Sequence, residues 1–321
     1  MSASSVRVGV FIDTTNISRN GGYGMRYEVL RAFACRDGAV PVRLNAYVAF
    51  DEERAERDPA YRRAQENFWG LVRDFGYKVI RKPVNWYEDE SGNRYGKANA
   101  DLDLTVDLLH QGLHLDRVLL ATGDGDFTRV VRVMQNRGCR IEVVAFENVA
   151  TSLREEADYF MSGYLIPDLL PTERTGRAKP WGETGSRVRG ICYSHTGKGY
   201  GFLRFMTAIG PGVLTTDTRA ADSPYESIFL HDSRLPEGVL PSMLPSRSLV
   251  FEFEIKEEEG QKARMAENVV LVSGQPRRPR PATSGFEDPI GGYTEDDLDL
   301  LDEDEDAAGF PDDKGDDEDD R

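Results

Sequence analysis

Four aspartates stand where this chain could do chemistry. Asp13 closes the apolar run VRVGVFI at residues 6–12, Asp124 and Asp126 follow the run RVLLA at 117–121, and Asp101 opens the segment ADLDLTVDLL. Carboxylates brought together repel and hold each other's protons more tightly, unless a cation neutralises them. Oxygen donors suit the hard ions Mg²⁺ and Mn²⁺, which keep part of their water shell. Such ions generate a hydroxide nucleophile and stabilise the charge of a phosphoryl transition state. The residue types therefore point to phosphodiester hydrolysis. Each aspartate alone has a plainer use. An Asp after a strand often caps a helix, as Asp126 could for the segment it opens. Asp101 and Asp103 fall in a first helical turn, where the macrodipole favours them. Asp103 and Asp107 share a helical face, whereas Asp101 and Asp107 stand about 120° apart, so one site does not readily use all three. Asp103 reads equally well as solvated. The weight rests on the combination.

The elements that would position these groups alternate. Strands are expected at 6–12, 42–50, 77–82 (YKVIRK), 117–121 and 140–146. Helices are expected at 24–35, from Pro59 through YRRAQENFWGLVRDF, at 100–113, at 126–137 up to Gly138, and over SLREEADYFM. Alternation of this kind predicts a parallel sheet covered on both faces, with ligands at the carboxyl ends of its strands. The ends of the first and fourth strands then lie on one edge, which gathers the aspartates.

The succession FIDTTNI, KANADLDLTVDLL, RVLLATGDGDFTRVVRVMQNRGCRIEVVAF and SLREEADYF resembles the NYN-domain family, which shares the PIN-like nuclease fold, over about residues 6–168. The resemblance implies an α/β/α sandwich with a parallel sheet and a divalent-metal ribonuclease site. Asp13 matches the first-strand Asp and Asn16 the Asn three residues on. Asp101 and Asp107 match a paired-Asp motif preceded by Lys97, and Asp124 and Asp126 match the GDxDF pair. Thr14-Thr15 depart from the more usual Gly and polar residue. The implied roles are metal binding for Asp13, Asp101 and Asp124, and metal binding or water orientation for Asp126. Asn16 would bond a phosphate or a metal-bound water, Lys97 would pair with a substrate phosphate, and Asp107 would be structural.

Residues 171–186 are rich in Pro, Gly and polar groups and read as a linker. From Arg187 the texture changes to short strand-like runs, RVRGICYS, YGFLRF, SIFLHD, SLVFEFEIKE and ENVVLV, the pattern of a small all-β unit. In GKGYGFLRF, Tyr200 and Phe202 share one face of a strand, and SIFLHD adds Phe229 and His231 on another. Aromatic residues in such a unit either fill its core or stack the bases of single-stranded nucleic acid. The combination KGYGF, IFLH and SLVFEFEIK resembles the cold-shock domain, an OB-fold that binds single-stranded RNA and DNA, over about residues 187–273. It implies nucleic-acid contacts at Tyr193, Lys198, Tyr200, Phe202, Phe229 and His231. The family's Trp-Phe-Asn lead-in stands here as Tyr193-Ser194-His195, one aromatic fewer, and the stretch Met206 to Glu226 is long enough for an inserted loop.

Charge is unevenly placed. The chain of 321 residues has a net charge of −16, and Gly285–Arg321, with 18 acidic and two basic residues, accounts for all of it. The remaining body is neutral, so the overall acidity does not exclude a nucleic-acid partner. Residues 274–321 have too few apolar groups to offset ordering and are expected to be disordered. This tail either aids solubility or contacts a basic partner or the chain's own nucleic-acid groove. Cys35, Cys139 and Cys192 are far apart and odd in number, which argues against a disulfide framework or zinc site and for a cytoplasmic setting. No secretory pattern or membrane-spanning run is present. His110 and His114 read as a surface pair without a third ligand. Self-association as a homo-oligomer stays open. The reading is a Mg²⁺- or Mn²⁺-dependent ribonuclease, in four parts: a nuclease domain at 1–170, a linker at 171–186, a cold-shock-like OB domain at 187–273 and an acidic tail at 274–321. Its rivals are a non-catalytic RNA-binding adaptor and a small-molecule phosphohydrolase.

Overall fold

A computed structural model describes residues 5–88, 94–172, 179–257 and 264–273. The first unit runs β1 (Arg7–Asp13), α1 (Thr14–Ile17), α2 (Tyr27–Ala34), β2 (Val40–Phe50), α3 (Glu52–Arg57), α4 (Pro59–Asp74), β3 (Lys78–Pro83), β4 (Asn85–Glu88), β5 (Arg94–Lys97), α5 (Ala100–Gln111), β6 (Arg117–Ala121), α6 (Thr128–Asn136), β7 (Arg140–Ala145), α7 (Thr151–Glu156) and β8 (Tyr159–Ser162). Six of these strands form one sheet in the order β3-β2-β1-β6-β7-β8, and every adjacent pair is parallel. All six strands therefore end on the same edge.

Strand alternation divides the sheet's apolar residues between two cores. Val8, Val10 and Ile12 of β1 pack with Leu30 and Phe33 of α2 and Phe68, Trp69 and Val72 of α4. Phe11 faces the opposite way, against Leu104 and Leu108 of α5 and Val130, Val131 and Met134 of α6. The central strands are apolar on both faces because both are covered, and all five residues of β6 are buried. The start of α4 follows from its sequence. Asp58 accepts from the Ala60 and Tyr61 amides at 2.9 and 3.0 Å, and Pro59 supplies a fixed φ in the first turn.

Two elements differ from the periodicity reading. SLREEADYFM does not run on as one helix, because α7 stops at Glu156 and Tyr159–Ser162 forms the edge strand β8. Asp158 decides this. Its amide donates to the Ile141 carbonyl at 3.0 Å, and its carboxylate accepts from the Ile141 amide at 2.7 Å. Pairing with β7 thereby outweighs helical propensity. The helix read at 126–137 begins later, with a 3₁₀ turn at Gly125–Phe127 ahead of α6.

The second unit is a closed barrel of β9 (Arg187–His195), β10 (Tyr200–Met206), β11 (Tyr225–His231), β12 (Val250–Lys256) and β13 (Met265–Leu271), in the order β10-β11-β13-β12-β9. Val188, Leu203, Phe205, Phe251, Phe253 and Ile255 fill it. Trp181, inside the stretch read as a linker, packs on this core and donates its indole N–H to the Met206 carbonyl at 2.8 Å. Residues 173–178 of that stretch and the tail from 274 lie outside the described residues.

The two units share a core. Ile166, Leu169 and Leu170, beyond β8, pack in one cluster with Ile191, Met206, Val213, Tyr225 and Val250 of the barrel. Arg189, buried in β9, donates to the Leu170 and Pro171 carbonyls at 3.2 and 2.6 Å and pairs with Glu252 at 2.8 Å.

Candidate active site and nucleic-acid interface

Asp13 ends β1, and β6 runs beside β1 in parallel, so the loop after Ala121 emerges next to it. Asp13 is buried. Its carboxylate accepts from the Asn16 amide at 3.0 Å and caps the short helix α1. Thr14 follows into the interior, where its hydroxyl donates to the Tyr47 carbonyl at 2.6 Å. Tyr47 is itself the β2 residue paired with Asp13. The threonine that departs from the more usual glycine thus bolts α1 to the neighbouring strand.

Tyr47 also places α5. Its hydroxyl donates to Asp107 at 2.8 Å, and Lys82 at the end of β3 bonds Asp103 at 2.6 Å. Both interactions hold the helix over β2 and β3 and occupy those two carboxylates. Asp101 remains in the exposed first turn. Asp124 is half-buried and caps the 3₁₀ turn by accepting from the Asp126 amide at 2.8 Å. The capping residue is therefore Asp124, two residues before Asp126, and Asp126 is exposed.

Electrostatics ties the four together. Burial pushes the Asp13 carboxyl up to about 6; the Asn16 amide opposes this, and the charges of Asp124 and Asp101 add to it. Asp124 is raised too, first by burial and then by Asp126 and Asp101, with the Asp126 amide opposing. Among the described residues, no three His, Cys, Asp or Glu side chains close into a metal cage. His110 and His114 are both exposed.

Asn16 has a different first duty from the one the resemblance implies. Its side-chain oxygen accepts from the Gly123 amide at 2.7 Å, bracing the loop after β6 against the loop after β1. Gly123 in turn receives the Ala150 amide on its carbonyl at 2.9 Å. A Cβ at Gly123 would stand 3.2 Å from the Asn148 carbonyl oxygen, so the close approach of the loops favours glycine there. Asn20 extends the brace, donating to the Asn16 carbonyl at 2.8 Å and accepting from Asn148 at 2.9 Å. Reasoning from sequence missed Asn20, Asn148, Thr14 and Tyr47. Of these, only Thr14, a small polar residue directly after the apolar strand β1, carries a signal in the sequence. The side chain of Lys97 lies outside the described residues; its backbone ends β5.

On the barrel, β10 and β11 are antiparallel, with Tyr200 opposite His231 and Phe202 opposite Phe229. Gly201, Leu203 and Leu230, between them, point inward and are buried, so the aromatics alternate outward and are half-buried. Tyr200 stacks on Phe229 with centroids 5.6 Å apart and an interplanar angle of 29°, and Phe202 meets both edge-on. The barrel's interior is made by other residues. Lys198 is exposed in the turn before β10, and His231 accepts from the Ser233 amide on Nδ1 at 3.2 Å. Tyr193 sits at a bulge in the pairing of β9 with β10 and is exposed.

A six-stranded parallel sheet between two helical layers, with carboxylates gathered at its carboxyl edge, is the arrangement of PIN-like nuclease domains. The NYN domain model matches residues 7–168, and the chain belongs to that family. Over 182 residues it is 29% identical to the low amplitude and bright protein LabA of Synechococcus elongatus, a match covering 54% of this chain and 92% of that protein. A crystal structure of a protein of unknown function from Vibrio parahaemolyticus is 23% identical, covering 50% of this chain and 95% of that one with a TM-score of 0.41. No described helix is long and apolar enough to cross a membrane.

Proposed function

We propose that this protein is a divalent-metal-dependent ribonuclease acting on single-stranded RNA, with the barrel holding the strand. The observation that carries the reading is the mutual charge interaction of Asp13, Asp101, Asp124 and Asp126 at the carboxyl edge of β1 and β6. A carboxylate raised first by burial and further by its neighbours' charges is a group that a cation would relieve. The donors are all hard oxygens, which fit Mg²⁺ or Mn²⁺, and Mg²⁺ is usually held by one or two carboxylates with water completing its shell. An open arrangement of carboxylates suits that habit.

Asp13, Asp101 and Asp124 would hold the ion. When bound, it would supply charge neutralisation at the phosphoryl oxygens and a water of lowered pKa. Asp126, exposed at the mouth, would orient that water or share the ion. Asn16 positions the Asp124 loop through Gly123, which leaves its Nδ2 donors for a phosphate oxygen. Tyr200, Phe202 and Phe229 would stack bases, with Lys198 and His231 at the rim for phosphates and base edges.

The test is cleavage of end-labelled single-stranded RNA with Mg²⁺ or Mn²⁺, comparing wild type with Asp124→Asn. Cleavage by wild type alone is expected. RNA bound but left intact by wild type under both metals would refute the enzyme and favour an RNA-binding adaptor.

A further inference from the structure

The outward face of β10 and β11 does not end at its aromatic cluster. Along β10 the outward residues are Tyr200, Phe202 and then Arg204, which stands opposite Ser227, one rung beyond the Phe202–Phe229 pair. That rung lies two residues further along the strand, about 6.8 Å. Arg204 is held between two rings, its guanidinium carbon 5.6 Å from the Tyr193 centroid and 5.4 Å from that of Tyr225. One guanidinium nitrogen donates to the Thr216 carbonyl at 3.0 Å, in the long connection between β10 and β11. The Tyr193 hydroxyl shares a hydrogen bond with Ser227 at 2.9 Å, so the exposed Tyr193 ring is fixed over the same rung.

The surroundings of Arg204 set it apart from five other arginines of the barrel unit. Arg187, Arg189, Arg219, Arg234 and Arg264 each pair with a carboxylate. Among the described residues, no carboxylate pairs with Arg204. Its partners are two π faces and one carbonyl, which orient the guanidinium and leave its positive charge uncompensated. A preoriented planar fork with spare donors suits a phosphate better than a mobile lysine does.

We infer that Arg204 is a phosphate-binding residue that continues the aromatic face, so that a single strand stacking on Tyr200, Phe202 and Phe229 lays its next backbone phosphate on the Arg204–Ser227 rung. The connection carrying Thr216 closes the track at that end. This inference rests on the reading that the barrel face binds single-stranded RNA.

The experiment titrates the full chain, in EDTA to prevent cleavage, against a short 5′-fluorescein-labelled oligouridylate by anisotropy over a series of KCl concentrations. Wild type is compared with Arg204→Met, Arg204→Lys and Phe229→Ala. Arg204→Met is expected to weaken binding and to reduce the slope of log affinity against log salt by about 0.7, the contribution of one single-strand phosphate contact. Arg204→Lys keeps the charge and should keep the slope. Phe229→Ala should weaken binding about 5- to 150-fold, the loss of one stacked base, with the slope unchanged. An unaltered slope in Arg204→Met, with Phe229→Ala still weakened, overturns the Arg204 assignment and leaves the face intact as a binding surface. Equal weakening by Met and Lys at constant slope overturns it too, since that marks a packing role. Wild type that fails to bind, or binding indifferent to Phe229→Ala, overturns the reading of the face and this inference with it.

Discussion

Replacing Asp13 by Asn should make the metal-free protein more stable while disabling its proposed chemistry. Asn keeps a side-chain oxygen to accept the Asn16 amide, so the cap on α1 survives. What disappears is a charge that burial and two neighbouring carboxylates oppose. The Asp13 carboxyl is raised from 3.8 to about 6 in the folded protein, and each pKa unit corresponds to about 1.4 kcal/mol. The raised group favours folding only while it is protonated. Its contribution is fully present below the unfolded value, near 4, and is lost as pH rises through about 6. At pH 8 the ionised Asp13 therefore costs the fold about 3 kcal/mol, and at pH 5 roughly half of that. Thermal unfolding in EDTA should show Asp13→Asn melting higher than wild type at pH 8, by roughly 6–12 °C for a cooperative unit of 150–250 residues, with a smaller margin at pH 5. A variant that melts lower at pH 8, or a margin that does not change with pH, would refute the argument.

Divalent cation should relieve the same strain. Mg²⁺ or Mn²⁺ at a hundred times its dissociation constant would stabilise wild type by about 2.7 kcal/mol, and Asp13→Asn combined with Asp124→Asn should show no such rise in melting temperature. Thr14→Val removes the hydroxyl bonded to the Tyr47 carbonyl and should cost about 1–3 kcal/mol in urea unfolding, with a further loss of cleavage rate measured where the variant is fully folded. Far from the site, Glu142 pairs with Arg36 at 2.7 Å while both are nearly inaccessible, and Arg117 and Arg140 stand close to the same carboxylate. Glu142→Ala leaves buried guanidinium charge without its partner and should cost about 3–5 kcal/mol; a loss below 1 kcal/mol in urea unfolding would show that water reaches these arginines.

What could be read from the sequence follows from how many residues carry each signal. The runs around β1, β6 and β7 are apolar on both faces, a pattern covered parallel strands require, and aspartates after such strands stand out. Shorter features had too few residues for periodicity to register. Helix α1 is four residues long and rests on one cap and the Thr14 hydroxyl, and the β4–β5 ribbon has four residues a side. Strand β8 was masked by a preceding helical pattern, because the group that ends the helix, Asp158, acts through a partner 17 residues back in β7. The brace from Asn16 to Gly123 was also beyond sequence reasoning, since the two are 107 residues apart. Arg204 is one of many arginines in the sequence; only the fold reveals which of them lack a counter-charge.

The packing across Leu170 bears on how such a protein can be rearranged through evolution. Arg189 spends its donors on both sides of a boundary that a parser would draw near residue 170, and Val213 reaches across it from an insertion inside the barrel. A barrel exchanged for a homologue without that insertion would expose Ile166 and Leu169 on its neighbour. A barrel exchanged in this chain would therefore have to carry the connection between β10 and β11 with it.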